Sequence, residues 1–115
     1  MILKEGDLIL VAHRRLFEKD DARFFVGRVD GYEAGVVKAT GHSHVRDPMS
    51  GKMVDKADAR TKILSLSSGT LIVYQLPAEL ALEAMKFAVE ERRLILTDGR
   101  AFKMNLMETP MLGRV

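Results

Sequence analysis

The fold turns on Phe24 to Val45, "FFVGRVDGYEAGVVKATGHSHV". It is rich in β-branched and aromatic residues, the composition of strands. Glycines interrupt it at Gly27, Gly31, Gly35 and Gly41. A glycine inside a strand marks a bend, a bulge or a close backbone approach. The spacing therefore predicts a strand over Arg23 to Tyr32, a tight turn at Glu33-Ala34-Gly35, and a second strand over Val36 to Val45. Two histidines, His42 and His44, ride on that second strand.

Working outward, Asp7 to Phe17 ("DLILVAHRRLF") has a strand's length and is apolar on both alternating faces at its start. Such a strand belongs inside the fold. The polar "EKDDA" reads as a turn. Arg46 to Ala59, with Asp-Pro and Ser-Gly pairs, reads as a long exposed loop. Arg60 to Leu76 reads as two short strands pivoting at Ser68-Gly69. Pro77 stops the strand, and the Ala, Leu, Glu, Met and Lys that follow predict a helix from Ala78 to about Lys86. "KFAVEERRLIL" also fits a strand turning at Glu90-Glu91. Asp98-Gly99 between apolar runs signals a hairpin, and the tail carries no periodicity.

The expectation is a single, mainly β domain. Residues 7–76 form a small, strongly bent, five-stranded antiparallel barrel. Residues 77–107 add a C-terminal helix and a β-hairpin, and residues 108–115 are a tail. Barrel closure hides sheet edges that would otherwise be exposed.

At Phe25 to Glu33, "FVGRVDGYE" resembles the first motif of the Sm and Sm-like proteins. Ser68 to Tyr74, "SGTLIVY", is similar to their second motif, and a long variable segment separates the two. The resemblance spans about Asp7 to Leu76. It implies an SH3-type barrel, a homo-oligomeric ring, and RNA bound near the pore. Under it, Glu33 takes the acidic position of the first motif. Val37 falls where the family has its base-contacting Asn. Ser68 and Gly69 fall on the basic residue-glycine pair. The resemblance also places Leu71, Ile72, Val73 and Tyr74 on an edge that pairs with a neighbouring subunit.

Composition bounds the chemistry. The 115 residues are 47% apolar and 30% charged, with a net charge of +2. That is a slight lean toward an anionic partner. Arg28, Arg46 and Lys52, with Arg14, Arg15, Lys56, Arg60 and Lys62, are candidates for a phosphate-binding patch if the loop and third strand share a face. There is no cysteine, so thiolate chemistry is excluded. His42 and His44, two apart on a strand, are weak candidates for a metal site, with Asp47 or His13 as an added ligand. Phe17, Phe24 and Phe25 read as core residues rather than base-stacking platforms. No nucleophile has a base near it in sequence, and no paired carboxylates stand out. The expectation is a non-enzymatic oligomeric module of the Sm-like kind with no cofactor, binding RNA or another anionic chain. The alternative is a structural adaptor on the same barrel without a nucleic-acid role. No signal-like start or membrane-length apolar run is seen, so a cytoplasmic protein without a membrane partner is expected.

Overall fold

The computed structural model describes residues 2–13, 23–47 and 49–106. The strands are β1 (Leu8–His13), β2 (Arg23–Glu33), β3 (Val36–Arg46), β4 (Met53–Asp55), β5 (Arg60–Ser65), β6 (Leu71–Leu76), β7 (Lys86–Glu90), β8 (Arg93–Thr97) and β9 (Lys103–Asn105). The first six form one antiparallel sheet in the order β4-β3-β2-β1-β6, with β5 paired to β3. The last three form a separate sheet in the order β7-β8-β9. The expected strand residues Arg14 to Phe17, the "EKDDA" turn and the tail from Met107 lie outside the described residues.

The larger sheet has an apolar cluster on each face. Ile9, Val11, Phe25, Val29, Val37 and Ala39 point to the inner, concave side, where Leu3 joins them. Leu8, Leu10, Val26 and Leu76 point to the other side and pack against Met85, Phe87 and Leu96. This explains why "LILV" in β1 is apolar at every position. It is a central strand between β2 and β6, buried on both faces.

One cross-strand pair demands glycine on both strands. Gly27 of β2 lies opposite Gly41 of β3. A Cβ on Gly41 would overlap the Val26 carbonyl oxygen and the Gly27 Cα. A Cβ on Gly27 would lie 2.8 Å from both the Thr40 oxygen and the Phe25 ring. Gly31 follows a β-bulge whose extra residue is Asp30. The bulge turns Tyr32 rather than Gly31 toward the inner core. Ala34 and Gly35, both at positive φ, then make the two-residue link into β3.

Two expectations need correction. The helix over Ala78 to Lys86 does not form. A single 3₁₀ turn, Leu82–Ala84, leads into β7. Helix propensity there loses to burial. Met85, Phe87, Leu94 and Leu96 are spaced by two and dock on the outer face of the large sheet. The strand alternative for "KFAVEERRLIL" is the one observed, with its turn at Glu91-Arg92, one residue later than expected. The barrel, in turn, does not close: β5 and β6 are consecutive in the chain but have no hydrogen-bonded ladder between them. After Leu64 the chain turns away through Gly69, at φ 78°, and β6 is committed along its full length to β1. The expected loop over 46–59 is also more ordered than its composition suggests, because β4 folds back onto the end of β3. The hairpin at Asp98-Gly99 joins β8 to β9 as expected, with the Asp98 carboxylate accepting from Arg100 N at 2.8 Å and Phe102 N at 3.3 Å.

Gly41→Ala is expected to lower unfolding stability by about 3 kcal/mol or more, since backbone must move. Gly31→Ala, with open space around it, is expected to stay within about 0.5 kcal/mol of the parent. Urea denaturation of both variants checks the pair. The Glu91-Arg92 turn places two ordinary residues at φ 51° and 65°. Replacing them by Asn-Gly should raise the midpoint of the same transition, by about 1 kcal/mol in stability.

Candidate functional site

Strands β5 and β6 each have one neighbour, β3 and β1 respectively. Among the described residues, their outer rims carry no further strand. Along β6, Leu71 and Val73 pack on the inner cluster and Tyr74 on the outer one, leaving Ile72 as the exposed apolar side chain at 42%. On β5, Ile63 is 72% exposed. Ladder parity puts both isoleucines on the same face. Ile72 shares a face with Ala12, opposite to that of Val11. Ile63 pairs with Lys38, opposite in face to Val37. The expected subunit-pairing edge thus offers backbone along its length, with Ile72 as the surface side chain.

The residues expected to bind nucleic acid are divided. Val37 is fully buried in the inner core and presents no atom to a ligand. Glu33 is exposed at the β2–β3 turn, and Ser68 and Gly69 are exposed in the β5–β6 turn. Leu66 N donates to Gly35 O at 2.8 Å, so these two turns share one end of the sheet. Arg46 and Lys52 lie at the other end of β3, about 30 Å away at the usual strand rise. There the Arg46 Nε donates to Gly51 O at 3.3 Å. Arg28 is a structural latch. Its Nη1 donates to Gly6 O at 3.0 Å and its Nη2 to Leu80 O at 2.7 Å, joining β2 to the segment that leads into the second sheet. Gly6 is held in place by the adjoining turn, where the Asp7 carboxylate accepts from Lys4 N and Lys4 Nζ, each at 3.0 Å. The Lys4 bonds hold that carboxyl below its ordinary range.

The two histidines line a cleft of about 450 Å³ between the outer face of β3, strand β4 and the segment around the 3₁₀ turn. Asp55, Lys56, Glu83 and Lys86 also border it. His44 is buried and packs at a tilt against Phe87, with ring centroids 4.8 Å apart and planes at 52°. Its Nδ1–H donates to the Asp55 carboxylate. In the neutral ring that bond places the proton on Nδ1 and leaves Nε2 as an acceptor. The buried Nδ1 of His42 has no hydrogen-bond partner among the described residues. Asp55 carried no sequence signal as the partner of His44. It sits eleven residues away, and only the unforeseen β3–β4 ladder places the two opposite each other. The other expected metal partners are elsewhere. The Asp47 carboxylate accepts from Met49 N and the Ser50 hydroxyl, bonds that hold it below its ordinary range. His13 lies on the inner face of the sheet, and His42 and His44 on the outer. Among the described residues, no three His, Asp or Glu side chains are placed to share a metal ion.

No protein-family model matches this chain, and no curated protein and no solved structure shows significant similarity to it. Among the described residues, no helix is long and apolar enough to cross a membrane.

Asp55→Ala should cost about 1–3 kcal/mol of stability, because it leaves the buried His44 N–H unpaired. His44→Phe combined with Asp55→Ala removes donor and acceptor together and should recover part of that loss. Urea unfolding of both variants measures the difference.

Proposed function

We propose that this chain is a non-enzymatic β-sheet module that assembles with copies of itself, β5 of one protomer pairing with β6 of the next. One observation carries the reading: among the described residues, the large sheet has two six-residue strands paired on one side only, each with an exposed isoleucine on the same face. Unpaired strands template further pairing. A contact between two different edges is head-to-tail, and it closes into a ring when the rotation per step allows. Adding β6 of a neighbour beside β5 continues the sheet without reversing its faces. Ile63 and Ile72 then meet on one side and shield each other from water.

The bent sheet, the two motif-like stretches and the long segment between them support a ring of the Sm-like kind. Nucleic-acid binding at the family's motif positions has less support, since Val37 is buried and Arg28 is already bonded.

Size-exclusion chromatography with light scattering is expected to show one defined oligomer of the full chain. Ile63→Lys and Ile72→Lys should each reduce its mass without unfolding it. Mixing the two variants should restore a one-to-one dimer, because each keeps the edge the other has lost. A parent protein that runs as a monomer at high concentration, or an Ile72→Lys variant that still self-associates fully, overturns the proposal.

A further inference from the structure

We propose that the inner face of the large sheet carries, around the rim of the buried Phe25 ring, a binding site for a phosphate group built from Arg23, Arg60 and Lys62. The site lies within one protomer and does not depend on the assembly proposed above.

The ladders put these side chains on one face, and Lys62 reaches along it to the ring of Phe25, two residues from Arg23 on the same strand. Lys62 pairs with Ala39 and Arg60 with Gly41, both on the inner face of β3. Arg23 pairs with Val45, whose alternation with Gly41 puts it on the same face. His13 ends β1 on this face, paired with Leu71. The Lys62 ammonium sits 4.8 Å from the centroid of the Phe25 ring, and that ring is fully buried. The aromatic floor thus fixes one cation at the rim of the apolar core. Arg60 stands on this face opposite Gly41, two residues along β5 from Lys62. Beside it, Ser43, Val45, Lys56, Asp58 and Arg60 line a cavity of about 340 Å³.

Charge balance gives the chemistry. Among the described residues, Arg23, Arg60 and Lys62 make no ion pair. Among the described residues, Asp58 supplies the carboxylate on that cavity. The cations act on each other: burial and then the charges of Arg23 and Arg60 push the Lys62 ammonium below its ordinary range. Burial, then Lys62 and Arg23, do the same to His13. Holding like charges together at a partly desolvated rim is unfavourable, and a multiply charged anion reverses the sign of that term. Two guanidinium forks and an ammonium on one face suit a tetrahedral oxyanion better than a flat carboxylate or a halide. The Ser43 hydroxyl and Lys56 supply further donors.

The test is a ¹H–¹⁵N NMR titration of the full chain with inorganic phosphate, against chloride at matched ionic strength. A parallel titration follows a fluorescein-labelled oligouridylate by anisotropy. Saturable shifts at Arg23, Arg60 and Lys62 that chloride does not reproduce are expected. Arg60→Glu should weaken phosphate binding about tenfold or more, and Lys62→Gln, which keeps the side chain's length, should weaken it too. Unchanged spectra away from the site confirm the fold of both variants. Oligouridylate binding that phosphate displaces identifies the ligand as a backbone phosphate. Phosphate binding without oligouridylate binding identifies a small phosphorylated molecule. Shifts matched by chloride, or phosphate affinity unaltered in Arg60→Glu, overturn the assignment.

Discussion

The structure depends on the absence of two side chains. Gly27 and Gly41 face each other across β2 and β3, so closely that no Cβ fits on Gly41 without moving backbone. This close approach is where the sheet curls. Phe25 fills the space above Gly27, and its ring becomes both the centre of the inner core and the seat of Lys62. Burying such a ring stabilises the fold by about 1.5–3 kcal/mol. That gain exists only because the glycines leave room for it. A larger residue at either place would move the strand that positions His42 and His44, since both lie within three residues of Gly41.

Curling exposes a second requirement. A sheet bent around one core presents its other face outward, and here that face is apolar from Leu8 to Leu76. The three-stranded sheet is its cover. Met85 and Phe87 of the approach and β7, and Leu96 of β8, fill the second core, while Phe24 stacks on Phe87 at 4.8 Å between centroids. Arg28 adds a directional tie, bonding the N-terminal turn on one side and Leu80 on the other. The C-terminal third therefore covers the outer faces of β1 and β2. The cover stops short of β5, and so Ile63 remains in water.

The legible parts of the sequence were those in which local chemistry and burial agree. Alternating apolar residues with interior glycines marked β2 and β3, the all-apolar "LILV" marked a central strand, and Asp98-Gly99 marked a turn. The segment after Pro77 misled because Ala, Glu, Leu and Lys favour a helix, whereas the available partner was an apolar sheet face that rewards a spacing of two. The turn at Glu91-Arg92 was hard to see, because neither residue belongs to the types that favour positive φ. The site was less legible still. Asp55 reaches His44 through a hairpin hidden in a polar loop, and Arg28 looked like a ligand-binding cation but spends its donors on carbonyl groups. Arg23 drew no attention beside the more numerous basic residues of the loop. Its importance comes from the inner-face register alone.

Strand β5 is asked to do two things, and strand geometry keeps them apart. Hydrogen-bonding groups project in the plane of the sheet, while side chains stand perpendicular to it and alternate between faces. Arg60 and Lys62 point to the inner face, Ile63 to the outer, and the free backbone edge points sideways. A neighbour added at that edge would cover Ile63 without displacing either cation. It would, however, bring a second sheet end beside the cationic rim and lower its exposure to solvent. Less water around Arg60 and Lys62 strengthens their attraction for a bound anion and equally their repulsion when the site is empty. Assembly and anion binding are coupled on this argument even though neither requires the other. An anion in the rim relieves the repulsion that a docked neighbour would intensify, so the filled site favours the assembled state.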